Sequence, residues 1–259
     1  MEQEQRPARS GRSRRKVYVI LPAYNEAERI EILLDRIDES LDQASMAYQI
    51  VLIDDGSDDG TSGIVSRCAQ RFPILVRRHD VNLGLGGTIR DGLVEAAQIA
   101  ADRDILVTMD ADDTHAPGVI LRMSRMILEG YDVVIASRYR PGSRTVGVPL
   151  SRRVLSRAGA WIFRTLFPIR GVRDYTCSYR AYRAAVIQDA LRDYGDSILN
   201  QDGFQCMVDI LLKLRHRDLI FGEVPFILRY DIKEGGTKMN VRRTAFQTLL
   251  LIVRRLGGR

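Results

Sequence analysis

Two carboxylates separated by one residue, in Asp110-Ala111-Asp112, are the side chains in this chain best suited to chemistry. They follow an apolar run, residues 105–109, that is typical of a buried strand. Such a pair can share one hard cation, because Mg²⁺ and Mn²⁺ take one or two protein carboxylates and complete their shell with phosphate oxygens and water. Aspartates at this spacing also occur in solvated turns. We expect the next residue, Asp113, to be a solvated neighbour rather than a third ligand.

Polar side chains also follow two earlier apolar runs. Residues 24–26 come after the first run, and Asp54 and Asp55 come at the end of the second. Adjacent like charges at a buried strand end cost stability unless something pairs with them. The donor groups of a nucleobase or ribose are one such partner. Capping of the next helix is the alternative, but it suits Asp58 or Asp59 and leaves Asp54 unexplained.

A glycine-rich segment, residues 82–87, precedes a predicted helix. Glycines let the backbone approach a ligand closely, and a helix N-terminus favours anions. The glycine spacing differs from that of the dinucleotide-binding fingerprint. The segment therefore indicates a phosphate-binding loop only in combination with the carboxylates described above.

Apolar runs that alternate with helical patterns predict the scaffold for these residues. The predicted strands are 17–24, 49–57, 74–76, 104–112 and 132–138. The predicted helices are 28–41, 61–72, 87–101 and 117–129. This alternation predicts an α/β domain with a mostly parallel sheet and helices on both faces. Because ligands bind at the carboxyl ends of such strands, the polar strand ends are expected to face one cleft.

The composition is that of a basic globular protein, with 259 residues, a formal net charge of +6 and a sequence pI of about 9.4. This balance suits nucleic acid, an anionic membrane surface or a phosphorylated ligand. The arginines are not interleaved with aromatic residues as in a stacking platform, so we expect no nucleic-acid partner. The three cysteines form no metal-binding pair, and the sequence shows no secretory signal, which together predict a cytoplasmic protein. No apolar run reaches the roughly 18–20 residues that span a bilayer.

Residues 150–167 predict an amphipathic helix that combines aromatic and basic side chains. Three arginines lie beside its apolar stripe: Arg153, Arg157 and Arg164. A basic amphipathic helix is typical of binding to a membrane surface, and Trp161 and Phe163 are expected to insert into the lipid. The alternative is a helix that packs against the core and leaves its basic face in solvent.

One main domain, residues 17–240, is predicted between two basic segments. Residues 1–16 predict a disordered tail, which either solubilises the protein or is attracted to anionic lipid. Residues 241–259 predict a C-terminal amphipathic helix similar in character to the segment 150–167. These segments predict peripheral association with an anionic membrane surface and leave room for a membrane-spanning partner subunit.

Four motifs in a fixed order resemble those of the family 2 glycosyltransferases. The motifs are Pro22-Ala23-Tyr24-Asn25-Glu26, Asp54-Asp55-Gly56-Ser57, Asn82-x-Gly84-x-Gly86 and Asp110-Ala111-Asp112. Their order and spacing are far more specific than any one of them. The resemblance implies the GT-A fold, a Rossmann-like and mostly parallel mixed sheet with helices on both faces, and a nucleotide-diphosphate sugar as donor.

The second half of the chain resembles the dolichol-phosphate mannose synthase branch of that family. This resemblance rests on Ser137-Arg138-Tyr139, on residues 174–183, and on Arg229 with residues 234–239. In this branch the donor is GDP-mannose and the acceptor is a polyprenyl phosphate. The resemblance therefore implies an inverting mannosyl transfer at the cytoplasmic membrane face, assisted by Mg²⁺ or Mn²⁺.

The resemblance also implies roles for individual residues. The nucleotide-sugar-binding residues would be Pro22, Tyr24, Glu26, Asp54, Asp55, Gly84, Asp110, Ala111, Asp112, Arg138, Arg229 and Lys238. The metal would be held by Asp110, Asp112 and Thr114. The acceptor phosphate would be bound by Ser178, Arg138, Arg229 and Lys238. The catalytic residues would be Asp112, Arg138 and Asp202.

Two positions depart from the pattern of the branch. Thr114 stands where the branch often has glutamine, which leaves a hydroxyl to ligate the metal or hold its water and leaves the metal preference open. The branch's Gly-Glu-Ser-Lys is Gly235-Gly236-Thr237-Lys238 here, which keeps the lysine and loses the carboxylate. Residues 200–203 resemble a segment that supplies an acceptor-side carboxylate in many family 2 enzymes, and this places Asp202 near the cleft.

Two other functions are compatible with these motifs. One is a family 2 transferase that uses a UDP-sugar, such as UDP-glucose or UDP-GlcNAc, or a sugar-hydroxyl acceptor. A hydroxyl acceptor would need a base such as Asp202, whereas a phosphate is already an anion. The other function is a non-catalytic module that binds a nucleotide sugar and docks on a membrane. The full set of metal and phosphate residues argues against that module.

Overall fold

The computed structural model describes residues 15–199, 201, 203, 205–232, 247–248, 250–253 and 255. Its strands are β1 (Lys16–Ala23), β2 (Ala47–Asp54), β3 (Ile74–Arg78), β4 (Ile105–Thr108), β5 (Val133–Ser137), β6 (Arg144–Val146), β7 (Arg180–Arg183), β8 (Phe221–Pro225) and β9 (Ile227–Arg229). Its α-helices are α1 (Ile30–Gln43), α2 (Thr61–Cys68), α3 (Gly84–Ile99), α4 (Val119–Leu128), α5 (Leu150–Leu166), α6 (Ala184–Tyr194) and α7 (Cys206–Leu214). Short 3₁₀ turns cover Gly195–Ile198 and Tyr230–Ile232, and the described residues beyond 246 are helical.

Seven strands form one sheet in the order β3-β2-β1-β4-β7-β5-β8, while β6 and β9 pair separately. All neighbours in the large sheet are parallel except β7, which runs antiparallel to β4 and to β5. The predicted α/β architecture with a mostly parallel sheet is confirmed. The sequence does not predict β7, because its four residues carry an arginine at each end and lack the apolar run of the other strands.

The core forms where the apolar helix faces meet the sheet. Five residues of α1 at helical spacing are completely buried, as their pattern predicts: Ile30, Leu33, Leu34, Ile37 and Leu41. Helix α3 packs closely on β1 and β2, because a Cβ at Gly92 would lie 2.4 Å from Cγ2 of Ile20. Cys68, Cys177 and Cys206 are buried and free.

Several predicted boundaries shift in the structure. The predicted strand 104–112 ends at Thr108, so the aspartate motif lies in the loop that follows β4. Helix α3 begins at Gly84, so most of the predicted glycine-rich loop forms its first turn. Lys16, predicted as the last residue of the tail, is the first residue of β1, and its N–H donates to Oδ1 of Asp104 at 2.9 Å. Residues 1–14 lie outside the described part of the chain.

Among the described residues, helix α5 packs against the body of the protein along the side that carries Phe163 and Phe167. Phe163 and Phe167 are buried, and the ring of Phe163 stacks on Tyr175 with centroids 5.8 Å apart. The expectation that Phe163 inserts into lipid is therefore wrong, because this ring is part of the core. Trp161 is 66% exposed and remains on the outer face with Val154 and other apolar residues.

The described part of the predicted C-terminal helix also contacts the body of the protein. Leu251 and Ile252 are buried in the hydrophobic core, and Arg255 donates to Oδ1 of Asp209 in α7. At these two positions the apolar side of this segment faces the core rather than a membrane. Among the residues that the structure describes, no helix is both long enough and apolar enough to cross a bilayer.

Candidate active site

The carboxyl ends of β1, β2 and β4 meet at one edge of the sheet. Ala23 is in register with Asp54, and Ile20 is in register with Thr108. The predicted convergence of three polar strand ends is thus confirmed. The antiparallel strand β7 begins at the same edge, because Arg180 lies opposite Thr108. This brings the segment before β7, which contains Ser178, to the aspartate motif.

Asp110 lies at the centre of this edge and contacts groups from distant parts of the chain. The hydroxyl of Ser178 donates to its Oδ1 at 2.7 Å. Its backbone N–H donates to Nδ1 of His115 at 3.2 Å, and the His115 ring stacks on Tyr179 with centroids 4.9 Å apart. The Asp110 side chain is 29% exposed. The structure therefore brings together two predicted site residues, Asp110 and Ser178, that are 68 positions apart.

Asp112 and Asp113 have different surroundings. The hydroxyl and the backbone N–H of Thr114 both donate to Oδ1 of Asp112, at 2.7 and 3.2 Å. Asp113 is not the solvated neighbour that we expected, because it is 4% exposed and forms an ion pair with Arg36. Burial raises the pKa of Asp113 above its ordinary value, and the Arg36 guanidinium acts in the opposite direction. One oxygen of the Asp113 carboxylate is thus engaged by Arg36 within the protein.

The residues present fit a divalent cation of the Mg²⁺ or Mn²⁺ type. Asp110 and Asp112 provide carboxylate oxygens at one loop, and the hydroxyls of Thr114 and Ser178 lie beside them. Within the described ranges, no group of three or more acidic, histidine or cysteine side chains could hold a metal by itself. An ion that takes two carboxylates and completes its shell with diphosphate oxygens does not require such a group.

Hydrogen bonds connect the loop after β1 to the loop after β2. The N–H of Asn25 donates to Oγ of Ser57 at 3.0 Å, and the Asn25 side chain exchanges two hydrogen bonds with Asp58 at 2.8 and 3.0 Å. Tyr24 stands exposed at the edge, while Pro22 and Glu26 are half-buried. The predicted nucleoside-binding residues of β1 are therefore held on a fixed loop beside those of β2.

Asp54 and Asp55 are buried and have partners within the protein. Oδ1 of Asp54 accepts the N–H of Ser57 at 2.9 Å, and its other oxygen accepts the hydroxyl of Ser62. Oδ1 of Asp55 lies 2.7 Å from Nδ1 of His79, and its carboxylate also accepts two backbone N–H groups at the start of α3. Asp59 precedes Gly60, which is the N-cap of α2 and has no side-chain capping bond, and the Asp59 carboxylate accepts the N–H and the hydroxyl of Thr61.

Arg138 is fixed by a buried ion pair at the end of β5. Its Nε and Nη2 donate to the two carboxylate oxygens of Asp174 at 2.8 and 2.7 Å, and Nη2 also donates to Oγ1 of Thr176 at 2.6 Å. Burial opposes the ionisation of Asp174, but the guanidinium and its hydrogen bonds outweigh this effect and hold the pKa of Asp174 below its ordinary value. The bidentate geometry leaves little freedom to the Arg138 side chain.

A groove of about 820 Å³ lies between α5 and the loop that follows β5. Its apolar wall includes Val154, Ala158, Ala160 and Trp161. Five arginines line it: Arg138, Arg140, Arg157, Arg164 and Arg173. Apart from Arg138, none of these arginines forms an ion pair with an acidic residue of the described chain. The groove therefore combines an apolar surface with positive charge that no acidic side chain among the described residues neutralises.

Arg229 lies next to the aspartate motif through its backbone. Its N–H donates to the carbonyl oxygen of Thr114 at 3.2 Å. Its guanidinium is half exposed and makes two hydrogen bonds of 2.9 Å to Asp231. Two further predicted site residues, Asp202 and Lys238, lie outside the described residues.

A protein-family model described as "Glycosyl transferase family 2" matches residues 18–191. The chain belongs to glycosyl transferase family 2. It is therefore a glycosyltransferase, and the recognition based on its four motifs is confirmed. The matched region contains the β1 and β2 loops, the aspartate motif, Arg138 and Ser178.

Three curated relatives of this transferase have names that specify mannose and a polyprenyl-type carrier. It is 32% identical over 240 residues to a dolichol-phosphate mannosyltransferase of Pyrococcus furiosus, and the match covers 92% of this chain and 63% of that protein. It is 30% identical over 241 residues to a polyprenol monophosphomannose synthase of Mycolicibacterium smegmatis, with 91% and 86% covered. It is 31% identical over 226 residues to an undecaprenyl-phosphate mannosyltransferase of Micrococcus luteus, with 87% and 88% covered. The chain thus spans less than two thirds of the Pyrococcus relative.

Solved structures confirm the fold. A glucosyl-3-phosphoglycerate synthase from Mycobacterium tuberculosis, in complex with Mn²⁺ and UDP-glucose, matches with a TM-score of 0.60 at 18% identity and covers 95% of this chain and 79% of that chain. A mannosyl-3-phosphoglycerate synthase from Rubrobacter xylanophilus matches with a TM-score of 0.57 at 16% identity, with 93% and 73% covered. The transferase has the GT-A architecture that the resemblance implied.

Sequence patterns do not identify two residues that support the site, Asp174 and His79. The sequence indicates Asp174 only as part of a motif, and no sequence pattern indicates His79. Their partners, Arg138 and Asp55, lie 36 and 24 positions away, so no local spacing marks either pair. The one available signal for Asp174 was its position at the start of a motif that contains Ser178.

Proposed function

We propose that this transferase moves mannose from GDP-mannose to a polyprenyl phosphate, with inversion, at the cytoplasmic face of a membrane. The relatives named above act on dolichyl, polyprenyl or undecaprenyl carriers, as their names state. The observation that carries the acceptor assignment is the arginine-lined groove beside α5. The donor assignment rests on the aspartate motif and on the hydrogen-bonded loops after β1 and β2.

The donor would lie along the carboxyl edge of the sheet. Pro22, Tyr24, Glu26 and Asp54 would contact the base and ribose, because they lie at the ends of β1 and β2 or on the loop after β1, which is hydrogen-bonded to the loop after β2. A divalent cation, Mg²⁺ or Mn²⁺, would be held by Asp110 and Asp112 with Thr114 beside them. When bound, such an ion neutralises charge on the diphosphate and stabilises it as a leaving group.

The acceptor would approach from the groove. The segment 174–178 joins the two regions, because Asp174 holds Arg138 in the groove and Ser178 donates to Asp110 at the donor edge. A phosphate in the groove would meet guanidinium groups, which bind phosphate oxygens bidentately and stay charged. The apolar wall formed by α5 suits an isoprenoid chain.

Direct displacement at the anomeric carbon suits an acceptor of this kind. A phosphate monoester is already an anion at neutral pH, with a second pKa of about 6, so it needs no strong general base. The work of the protein is then to position the two substrates and to balance their charges. Arg138 would orient the acceptor phosphate, while Arg229 and Lys238 would meet phosphates of the donor or acceptor. Asp202 would act as a base only toward a hydroxyl acceptor.

A lipid acceptor requires the enzyme to come to the membrane. Each buried CH₂ of the chain is worth about 0.8 kcal/mol, so a polyprenyl tail does not leave the bilayer. Helix α5 supports the docking proposal, because Trp161 is exposed on the same helix as the groove arginines Arg157 and Arg164. Arginines near an anionic surface add about 1 kcal/mol each.

Competition between acceptors tests this function. The purified protein is given GDP-mannose, Mg²⁺ and an equal mixture of undecaprenyl phosphate, unphosphorylated undecaprenol and 3-phosphoglycerate. The proposal expects the mannosylated lipid phosphate to dominate. Preferential mannosylation of undecaprenol or of 3-phosphoglycerate would overturn the acceptor assignment. Replacing GDP-mannose by UDP-glucose or UDP-GlcNAc tests the donor in the same way.

A further inference from the structure

A buried histidine bridges two aspartates behind the donor edge. Nδ1 of His79 lies 2.7 Å from Oδ1 of Asp55, and Nε2 lies 3.1 Å from Oδ2 of Asp91. The three residues are 7%, 3% and 9% exposed, in the order His79, Asp55 and Asp91. They come from the residue after β3, the residue after β2 and the middle of α3. One imidazole therefore ties three elements together.

The Asp55 carboxylate is largely occupied by donors of the protein itself. Oδ1 accepts the N–H of Leu83 at 2.8 Å, in addition to its contact with His79. Oδ2 accepts the N–H of Gly84 at 2.9 Å. The orientation of this carboxylate thus sets the position of the Leu83-Gly84 backbone, where α3 begins and where Gly84 has a φ of 78°.

The two loops at this place are in direct contact. The N–H of His79 donates to the carbonyl of Asp54 at 2.8 Å. Gly56 has a φ of 77°, and a Cβ there would lie 3.3 Å from the carbonyl carbon of Val81 and 3.4 Å from the amide nitrogen of Asn82. The loop of residues 54–57 therefore packs directly on the turn of residues 79–84, and the His79 ring lies at their junction.

We propose that His79 is a positioning residue for the nucleotide donor. It holds Asp55, and Asp55 holds the Leu83-Gly84 turn in the position that meets the donor diphosphate. Asp55 thus acts through the backbone of this turn rather than by direct contact with the nucleotide. This inference rests on the donor half of the proposed function.

Two substitutions separate the two contacts of the ring. The side-chain amide nitrogen of asparagine occupies a position similar to that of Nδ1 in histidine. The amide nitrogen of glutamine occupies a position similar to that of Nε2. Both amides donate N–H groups. His79→Asn therefore retains a donor to Asp55 and loses the contact with Asp91. His79→Gln retains a donor to Asp91 and loses the contact with Asp55. Both remove an aromatic ring of the same size, which makes them a matched pair.

Two measurements test the inference. GDP or UDP is titrated into each protein variant in the presence of Mg²⁺, and the affinity is measured by calorimetry. Steady-state kinetics of sugar transfer are then compared. We expect His79→Asn to bind nucleotide within about threefold of the wild type. We expect His79→Gln to bind at least tenfold more weakly, to raise the KM for the donor, and to leave kcat and the KM for the acceptor unchanged. Equal affinity in the two variants would overturn the inference while the proposed function stands. A wild type that binds neither nucleotide would overturn the proposed function together with the inference.

A measurement on the wild type covers the case in which His79→Gln does not fold. In ¹⁵N-labelled protein, addition of nucleotide and Mg²⁺ is expected to shift the amide signals of Leu83 and Gly84 and the ring nitrogens of His79. Nucleotide binding that leaves all of these signals in place would overturn the inference.

Discussion

Asp112 uses one carboxylate oxygen to hold Thr114, and this decides which substitution tests its role. Asp112→Asn retains an oxygen that accepts both donors of Thr114, so the loop is expected to keep its shape. It removes the negative charge that a divalent cation needs. We expect the rate of sugar transfer to fall at least about 100-fold, since such charge stabilisation is worth several kcal/mol. The melting temperature is expected to stay unchanged.

The matched control for this substitution is Asp102→Asn. Asp102 is exposed and precedes β4, at the opposite edge of the sheet from the aspartate motif. Its substitution is expected to leave the transfer rate unchanged. Full turnover by Asp112→Asn, or by the wild type in excess EDTA, would contradict the metal site.

Asp174 offers a test of the pair that fixes Arg138. Asp174→Asn keeps the shape of the side chain but leaves a buried guanidinium without its counter-charge. Breaking a buried pair from one side costs on the order of 3–5 kcal/mol. We expect a loss of this size in the free energy of unfolding at neutral pH, measured by urea denaturation.

The pH dependence of this loss follows from the lowered pKa of Asp174. A depressed carboxyl pKa contributes stability that is complete above the unfolded value of about 3.9 and is lost as the pH falls through the folded value. The difference between wild type and Asp174→Asn is therefore expected to be constant from neutral pH to about 5 and to shrink below about 4. A difference that keeps its full size at pH 2 would show that the carboxylate charge is not its source.

At the residue scale, the sequence predicted the groups whose spacing is local. Asp110 and Asp112 were predicted because a single apolar strand delivers both to the same loop. The contact of Ser178 with Asp110 follows from β7, which no pattern indicated. Asp113 was misjudged because its partner, Arg36, lies on α1, 77 positions away.

Helix α5 is the element whose role is most open to experiment. Trp161 is the only tryptophan in the chain and is 66% exposed, so its emission reports this helix directly. We expect the protein to cosediment with anionic vesicles and the emission of Trp161 to shift to the blue when the vesicles are added. Charge reversal of Arg153, Arg157 and Arg164 is expected to release the protein from the vesicles without unfolding it.

The control reverses three exposed arginines on other helices, Arg67, Arg122 and Arg125. This variant has the same net charge as the α5 variant and is expected to stay bound. Equal release of both variants would indicate attraction by net charge rather than docking of α5. A docking role for this helix would be contradicted if the emission maximum of Trp161 did not change on addition of anionic vesicles and the protein did not cosediment with them.

At the element scale, the sequence predicts those strands and helices that have a regular local hydrophobic pattern. The strands and helices up to β5 alternate regularly, so their type and order were recognised with boundaries shifted by a few residues. Beyond β5, the strands β7 and β9 have only 4 and 3 residues, and two of the four residues of β7 are arginines. Such strands form because neighbouring strands offer hydrogen-bonding partners, and this tertiary cause is invisible in a local window.

On the scale of the whole molecule, the donor and acceptor regions are built by different parts of the chain. The β1, β2 and β4 loops supply the donor edge, whereas α5 and the loops after β5 supply the groove. The segment 174–178 and the antiparallel strand β7 join the two. This arrangement explains why the membership of the family was readable from the first half, while the groove was not predicted.

Transfer to a lipid phosphate tests the central claim most directly. The purified chain is incubated with GDP-mannose, undecaprenyl phosphate and Mg²⁺ in detergent or anionic vesicles, and the lipid product is analysed by mass spectrometry and NMR. The account predicts a lipid that carries one mannose on its phosphate, linked in the inverted β configuration. It also predicts that product formation stops in excess EDTA. Release of GDP without any mannosylated lipid phosphate, or a product with the retained α configuration, would contradict the account.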